Sequence, residues 1–258
     1  MTYKAVLADL DGTINRGKSL IPGADIVYGE LSASGIKWLF LSNNAATLAS
    51  DLAEKITSLG LPVDETQVIN SASALIREVR RNLVGTRIMV IGQPRLRLAL
   101  EEVGAITTED PFSSDIVVVA LDTEFTYEKM KRAHRAIQNG AVFWATNMDP
   151  TYPDADGFSP GAGSVVASIS TASGKQPERI FGKPSTDMAT IAIERLGIRE
   201  SECLVVGDRM DTDVRFAKGA GMASALVLTG ATCLEDLSKY SFAPDYILES
   251  ISNLKTLF

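Results

Sequence analysis

Short apolar runs recur along the chain, and a segment with helical periodicity separates most of them from the next. The runs are rich in Val, Ile and Leu and show little alternation of polar and apolar positions, which is typical of strands buried on both faces of a sheet. They predict strands at Lys4–Asp9, Ile36–Ser42, Arg87–Ile91, Asp115–Leu121, Val142–Ala145, Cys203–Gly207 and Ala223–Leu228.

Helical segments that end in glycine precede several of these strands, and Gly174 and Gly197 are two examples. A glycine after the last helical turn accepts the left-handed conformation that closes a helix. Among the helices, the pattern predicts Ser71–Asn82, Ala45–Leu59 and Thr186–Leu196. Repeated helix–glycine–strand units predict parallel sheets and an α/β fold.

The domain organisation follows from a second run of α/β units between Thr86 and about Ala172, which a polar turn at Gly174–Pro177 closes. We predict a core domain made of residues 1–80 and 178–258. Residues 81–177 would form an α/β domain inserted into it. Periodicity alone does not show that this domain is inserted, but the motifs described below favour an insertion.

Composition and charge exclude several classes of protein. The 258 residues include 45% hydrophobic side chains, 32 acids and 25 bases, which give a net charge of −7. This composition is typical of a globular protein, and an acidic chain without a long basic run does not favour nucleic-acid binding. No apolar run is long enough to span a membrane and no signal-peptide pattern is present, so we expect no membrane partner and a cytoplasmic location.

Histidine and cysteine are too scarce to carry common catalytic chemistries. The only histidine, His134, lies in a mixed helical segment, where a solvated or half-buried position is expected. Cys203 opens an apolar run and is expected in the core, and Cys233 forms no metal-binding spacing with it. Catalysis would therefore depend on carboxylates, hydroxyls, amides and lysines, together with an oxygen-bound metal.

Carboxylates gather at the ends of two predicted strands. Asp9 and Asp11 end the first strand, and Asp208 follows a later one, with Asp211 and Asp213 shortly after it. Ligands of open α/β sheets bind at the carboxyl ends of strands, and carboxylate clusters suit Mg²⁺. A helix N-terminus would also favour Asp211 and Asp213, but it explains Asp208 poorly.

Two further strand ends carry polar groups that could bind phosphate. Ser42, Asn43 and Asn44 end the second strand, and Lys183 lies between a short strand and a helix. Hydroxyl and amide groups donate hydrogen bonds to phosphate oxygens, and a lysine neutralises their charge. Taken singly, the first group could be a helix cap and Lys183 a surface residue.

The order of these motifs resembles the haloacid dehalogenase-like (HAD) phosphohydrolase superfamily. The motifs are Asp9-Leu-Asp-Gly-Thr13, Leu41-Ser-Asn-Asn44, Gly182-Lys-Pro-Ser185 and Gly207-Asp-Arg-Met-Asp-Thr-Asp213. With Ala145-Thr-Asn-Met-Asp-Pro150, the resemblance narrows to the NagD-like and p-nitrophenyl-phosphatase branch. It implies a Rossmann-like parallel-sheet core with an inserted α/β cap. It further implies phosphatase activity on a small phosphorylated metabolite, and a homodimer formed through the cap.

The resemblance also implies a role for each matching residue. Asp9 would attack phosphorus and form an aspartyl-phosphate, while Asp11 would act as general acid and base. Mg²⁺ would be held by the Asp9 side chain, the Asp11 backbone carbonyl and Asp208, and Asp213 would orient the metal or its waters. The phosphoryl group would be bound by Ser42, Asn43, Asn44 and Lys183.

The polar, turn-rich segment Thr146–Gly163 matches a loop that contacts the leaving group in the branch. Some relatives place a histidine where Tyr152 stands, so the substrate stays unassigned, and Tyr152 is either a substrate contact or an exposed loop residue. Two alternative functions remain open. One is a phosphotransferase that uses the same mechanism, and the other is a non-catalytic binding or regulatory module.

Overall fold

A computed structural model describes residues 3–154 and 157–258. Its strands are β1 Ala5–Asp9, β2 Asn15–Arg16, β3 Ser19–Leu20, β4 Lys37–Ser42, β5 Val68–Asn70, β6 Arg87–Ile91, β7 Ile106–Thr107, β8 Ile116–Val119, β9 Val142–Ala145, β10 Thr151–Asp154, β11 Gly157–Pro160, β12 Arg179–Ile180, β13 Cys203–Gly207, β14 Ala223–Val227 and β15 Tyr246–Leu248. Its α-helices are α1 Ala24–Ala33, α2 Ala49–Ser58, α3 Ser71–Asn82, α4 Pro94–Glu102, α5 Tyr127–Gln138, α6 Ala162–Ser173, α7 Asp187–Leu196 and α8 Arg215–Gly219.

The chain divides into two compact units. The first consists of Met1–Ser42, Ala49–Ile69 and Lys183–Phe258, and the second of Asn43–Leu48 and Asn70–Gly182. Among the described residues, no helix combines the length and the apolar character that crossing a membrane requires.

The first unit is built on a six-stranded sheet with the order β15-β14-β13-β1-β4-β5. The strands from β15 to β4 pair in parallel, so their carboxyl ends lie along one edge. Alternate residues of β1 and β13, among them Val6, Ala8, Leu204 and Val206, face the hydrophobic core that α1 helps to cover. This burial on both faces explains why these strands show continuous apolar runs in the sequence.

The second unit has its own five-stranded sheet, with the order β12-β9-β8-β6-β7 and parallel pairing throughout. Val117 and Val119 of β8 pack in its core with Ala133 of α5 and Val166 of α6. The helices begin and end where local chemistry favours it. The Thr126 side chain accepts a hydrogen bond from the Lys129 backbone N–H at the start of α5, and Gly174 closes α6 with a φ of 69°.

The predicted α/β class is confirmed, and each predicted strand is present within a few residues of its expected bounds. His134 lies half-buried in α5, and Cys203 is buried, as expected. Helix α2 begins at Ala49 rather than at the expected Ala45.

The segment Thr146–Gly163 differs from the loop that its composition suggested. It contains an antiparallel hairpin of β10 and β11, in which Tyr152 pairs with Ser159, and it ends in the first turn of α6. Ala155 and Asp156, which also belong to the predicted loop, lie outside the described residues. No apolar run marks the hairpin in the sequence, and among its described side chains Thr151, Phe158 and Pro160 are exposed.

The second unit contains Asn43–Leu48 and the whole of α3. The division into a core of residues 1–80 and 178–258 with a domain inserted at 81–177 stays a prediction. Glu78 of α3 forms an ion pair with Arg179 of β12 at 3.0 Å, which ties the helix to this unit. Ser71, at the start of α3, also donates a hydrogen bond to the Asn43 carbonyl at 2.7 Å within the same unit. The helix therefore packs with elements that lie far along the chain, which its own sequence does not indicate.

Candidate active site

The register of the first sheet gathers three of the predicted site residues at one edge. Asp9 ends β1 and lies opposite Leu41 of β4, so Ser42 follows directly beside it. On the other side of β1, Ala8 lies opposite Val206 of β13, which places Asp208 just beyond the level of Asp9. Parallel pairing alone therefore brings these three strand ends together, as expected for a ligand site of an open α/β sheet.

Lys183 is the cation at the centre of this edge. Its side chain is only 3% exposed, and its Nζ donates to Asp9 Oδ1 at 2.5 Å and to Asp213 Oδ1 at 2.6 Å. The lysine is therefore a buried part of the site and not the surface residue that its local sequence also allowed. Charge-assisted hydrogen bonds of this length fix both carboxylates relative to each other.

Asp213 reaches the site from a π-helical turn, Met210–Val214, that follows β13. Its second oxygen, Oδ2, accepts a hydrogen bond from the Arg209 backbone N–H at 3.1 Å. The carboxylate lies so close to the strand that a Cβ atom on Gly207 would be 2.2 Å from Asp213 Cγ. Only glycine fits at position 207 without displacing Asp213.

Asp208 is 4% exposed, and its two oxygens have different surroundings. Oδ2 accepts a hydrogen bond from the Ala231 backbone N–H at 2.6 Å. Oδ1 is buried and has no hydrogen-bond partner among the described residues. A buried carboxylate oxygen without a donor is costly unless a cation completes its environment.

The donor set fits a divalent cation. Oxygens of Asp9, Asp208 and Asp213 all lie within 4.8 Å of one another. Three carboxylates against the single ammonium of Lys183 leave two negative charges, which a divalent ion would neutralise. Carboxylate oxygens are the ligands that Mg²⁺ prefers, and the unpartnered Asp208 Oδ1 offers one of them.

Burial and mutual repulsion dominate the electrostatics of this group. Desolvation raises the pKa of Asp9 well above its usual value, and Asp213 and Asp208 add to the effect while Lys183 opposes it. Desolvation, together with the charge of Asp213, raises the pKa of Asp208 to about 6. Burial lowers the pKa of Lys183, but Asp213 and Asp9 raise it by more, so the lysine stays protonated.

Asp11 lies apart from the carboxylate group. Its Oδ1 accepts a hydrogen bond from Asn15 Nδ2 at 2.8 Å and lies 3.7 Å from Lys55 Nζ. The side chain is about two-fifths exposed, so it is accessible to a substrate or to water. The chain turns immediately after it at Gly12, whose φ of 93° favours glycine.

Ser42 and Asn43 are buried, whereas Asn44 is exposed. Asn43 is fixed within the second unit, where its Nδ2 donates to Asp149 Oδ1 at 3.2 Å and its carbonyl accepts from Asn147 Nδ2 at 2.7 Å. The Asn44 side chain accepts a hydrogen bond from the Ala46 backbone N–H at 2.8 Å, as a capping residue does. Asn43 and Asn44 continue the chain directly after Ser42.

Tyr152 lies in the hairpin of the second unit and lines a cavity of about 460 Å³ there. The side chains of Phe125 and Val165 make part of its lining apolar. Asp122, which is buried, also lines the cavity and forms an ion pair with Lys129 Nζ at 2.8 Å. Four residues that carry hydroxyl groups also line the cavity, namely Thr123, Ser159, Ser164 and Ser168.

Several residues that shape the site have no role that the sequence reveals. Asn15 contacts Asp11, Gly207 makes room for Asp213, and Ala231 contacts Asp208. Ala231 lies in the segment that follows the apolar strand β14. Position after an apolar strand, which marked Asp9 and Asp208, therefore also applies to this segment. Nothing in the sequence distinguishes Gly207 from an ordinary glycine, because its role depends on a side chain that folds back onto it.

Comparison with known proteins places this site in a family. Residues 6–106 match the haloacid dehalogenase-like hydrolase family, and residues 180–254 match a HAD-hydrolase-like family. The chain is 34% identical over 250 residues to the acid sugar phosphatase of Staphylococcus aureus, covering 97% of this chain and 96% of that protein.

Solved structures share the whole fold. The p-nitrophenyl phosphatase from Archaeoglobus fulgidus matches with a TM-score of 0.91 and 29% identity, over 100% of both chains. NagD from Escherichia coli K-12 matches with a TM-score of 0.89 and 30% identity, over 98% of both chains. A glycerol phosphate phosphatase from Mycobacterium tuberculosis, solved in complex with magnesium, matches with a TM-score of 0.90 and 34% identity, over 98% of this chain and 76% of that one.

The parallel sheet carries a group of acidic side chains where its strands end. Together with these similarities, this arrangement defines a HAD-type phosphatase. The chain belongs to the haloacid dehalogenase-like hydrolase superfamily, in its NagD-like and p-nitrophenyl-phosphatase branch. It is a phosphoric monoester hydrolase, which excludes the non-catalytic module considered from the sequence.

Proposed function

We propose that the chain hydrolyses the phosphomonoester of a small metabolite in a Mg²⁺-dependent reaction that passes through an aspartyl-phosphate on Asp9. The observation that carries this proposal is the buried arrangement of Asp9, Lys183 and Asp213 with Asp208 beside it. It supplies a nucleophile held in one orientation and a surplus of negative charge that a divalent cation would balance.

Asp9 is the nucleophile in this proposal. Lys183 holds Asp9 Oδ1, which restricts rotation of the carboxylate and keeps it directed at the phosphorus. An Asp9 oxygen forms a bond to phosphorus as the bond to the leaving oxygen breaks. Ser42, Asn43, Asn44 and Lys183 are assigned to the phosphoryl oxygens, where their donors offset the charge that develops.

Asp11 is the general acid and base in this proposal. It donates a proton to the leaving oxygen, and the alcohol departs. It then takes a proton from the water that attacks phosphorus, so Asp9 is released and inorganic phosphate forms. The hydrogen bond from Asn15 holds the Asp11 side chain outside the carboxylate group, where it stays accessible.

Asp9, Asp208 and the Asp11 backbone carbonyl would hold the Mg²⁺ ion, and Asp213 would orient it through the bond to Lys183. When bound, the ion neutralises carboxylate and phosphate charge, so that an anionic nucleophile can approach an anionic ester. A magnesium complex of the related glycerol phosphate phosphatase supports the choice of metal.

The substrate is assigned only by class, as a small phosphorylated metabolite. Relatives named for sugar phosphates and glycerol phosphate support that class. Tyr152 is assigned to the organic part of the substrate, because it lines a cavity with both apolar and hydroxyl walls. A cytoplasmic location and a homodimer formed through the second unit stay predictions from the sequence.

The proposal is tested by p-nitrophenyl phosphate hydrolysis with Mg²⁺, with EDTA, and with Mg²⁺ restored after EDTA. We expect release of nitrophenol only in the first and third conditions. Full activity in EDTA would contradict the metal-dependent mechanism. A panel of sugar, glycerol and nucleoside monophosphates then ranks substrates, and the yield of inorganic phosphate relative to alcohol separates hydrolysis from phosphate transfer to a second alcohol.

A further inference from the structure

A fourth strand end lies at the same edge of the first sheet and belongs to no assigned motif. Strand β14 pairs in parallel with β13, and Leu226 lies opposite Gly207. The chain that leaves β14 therefore passes beside Asp208. We call residues Thr229–Thr232 the β14 loop.

The β14 loop holds Asp208 from two directions. The Ala231 backbone N–H donates to Asp208 Oδ2 at 2.6 Å, and the Thr232 backbone N–H donates to the Asp208 carbonyl at 3.2 Å. These bonds fix the rotamer of the side chain and commit Oδ2 to the protein. Oδ1, which has no hydrogen-bond partner among the described residues, is left as the oxygen that can bind a cation.

The same loop also holds the turn that follows the nucleophile strand. Thr229 Oγ1 donates to the Gly12 carbonyl at 2.6 Å, and the Arg16 guanidinium donates to the Thr229 carbonyl. Gly12 directly follows Asp11, whose backbone carbonyl is assigned to the metal. The loop therefore links the backbone around Asp11 to the carboxylate of Asp208.

Close packing makes this link sensitive to a single methyl group. A Cβ atom on Gly230 would lie 2.0 Å from Asp208 Oδ2 and 2.4 Å from Asp208 Cγ. A Cβ atom on Gly12 would lie 2.6 Å from the same oxygen. Contacts this short cannot exist, so a side chain at position 230 must displace either the loop or the carboxylate, and both displacements disturb the bond from Ala231.

We propose that the β14 loop is a positioning element of the metal site, in which Gly230 and Thr229 set the orientation of Asp208 relative to the Asp11 backbone. The inference rests on the proposed Mg²⁺-dependent function. Neither residue touches the reacting atoms, so both act through other residues. Groups that orient metal ligands typically alter metal affinity by about 10- to 100-fold when they are changed.

The test measures the Mg²⁺ dissociation constant by calorimetry, with Mg²⁺ alone as the probe, for wild type, Gly230→Ala, Thr229→Val and Thr229→Ser. We expect the dissociation constant to rise at least about tenfold in Gly230→Ala and Thr229→Val, and to return close to the wild-type value in Thr229→Ser, which keeps the hydroxyl. Circular dichroism and the melting temperature without metal establish that each variant is folded.

Thr256→Val is the matched control, because the Thr256 hydroxyl also donates to a backbone carbonyl, that of Asn253 at 2.8 Å, but lies outside the site. Its Mg²⁺ affinity is expected to equal that of wild type. The positioning role alone is overturned if wild type binds Mg²⁺ and the folded Gly230→Ala or Thr229→Val variant binds it with the same dissociation constant. If wild type itself binds no Mg²⁺, the proposed function fails and this inference fails with it.

Discussion

At the scale of single residues, the site depends on charges that are expensive to bury. The Asp9 carboxylate accepts a hydrogen bond from Lys183, and desolvation raises its pKa well above the usual value. The ionised form of Asp9 therefore lowers the stability of the metal-free fold. A buried carboxylate at such a cost points to a function, since structure alone would favour a neutral group there.

Asp9→Asn should lower the kcat for p-nitrophenyl phosphate by at least about a thousandfold, because an amide cannot form the aspartyl-phosphate. The melting temperature without metal should be unchanged or higher, since a buried carboxylate is removed while Lys183 keeps Asp213. Asp25→Asn, on the exposed side of α1, is the control and should retain wild-type activity. Substantial turnover by Asp9→Asn would contradict the assigned nucleophile.

Tyr152→Ala should raise KM about tenfold for the best substrate of the panel, equivalent to about 1.4 kcal/mol, while changing kcat little. The reason is that the ring is assigned to binding the organic part of the substrate and not to the reacting atoms. Tyr127→Ala is the control, because that tyrosine is 74% exposed on α5 of the same unit. An unchanged KM in Tyr152→Ala would show that the ring is an exposed hairpin residue without a binding role.

At the scale of elements, the end of β13 and the π-helical turn after it act together. Gly207 ends the strand, and Asp213 returns from Met210–Val214 to lie against it. The bond from the Arg209 N–H to Asp213 fixes this return. The geometry of the proposed metal site therefore depends on backbone packing as much as on the acids themselves.

Gly207→Ala should destabilise the fold by about 1–3 kcal/mol, because the added methyl group overlaps the Asp213 carboxylate. Gly29→Ala is the matched control in the same unit. Gly29 lies within α1, and a Cβ atom there would have no atom of another described element within 4 Å, so alanine should stabilise by about 0.5–1 kcal/mol. Urea unfolding of the metal-free proteins measures both changes, and equal stability of Gly207→Ala and wild type would argue against the close approach.

At the scale of the whole molecule, the proposed metal binding would link folding stability to pH. The pKa of Asp208 is raised to about 6 in the fold, so its protonated form favours folding, and this contribution is lost as pH rises through about 6. In the proposed function, Mg²⁺ would require the ionised carboxylate, and it would stabilise the fold by binding only the native state. The raised pKa of Asp9 acts in the same direction.

The increase in melting temperature on adding Mg²⁺ should therefore be small at about pH 5 and larger at about pH 7. Differential scanning fluorimetry with and without Mg²⁺ at both pH values measures the difference. Asp208→Asn is the control and should show little Mg²⁺-induced stabilisation at either pH. An equal shift at both pH values in wild type would contradict a proton that competes with the metal at Asp208.

The sequence by itself determined the α/β class, the positions of the main strands and the family. Buried parallel strands are continuous apolar runs, and the residues that end them are adjacent to those runs in the chain, so Asp9, Ser42 and Asp208 could be identified from local pattern. The resemblance then assigned their roles, which no part of the fold pattern could supply.

Tertiary structure decided which of these residues meet. Lys183, which its local sequence taken singly would also allow at the surface, is buried between Asp9 and Asp213, while Asp11 lies outside that carboxylate group. Gly207 and Gly230 matter because the carboxylates of Asp213 and Asp208 approach them within the distance of one methyl group. Such contacts arise from the packing of separate chain segments, and no local pattern of hydrophobic and polar positions encodes them.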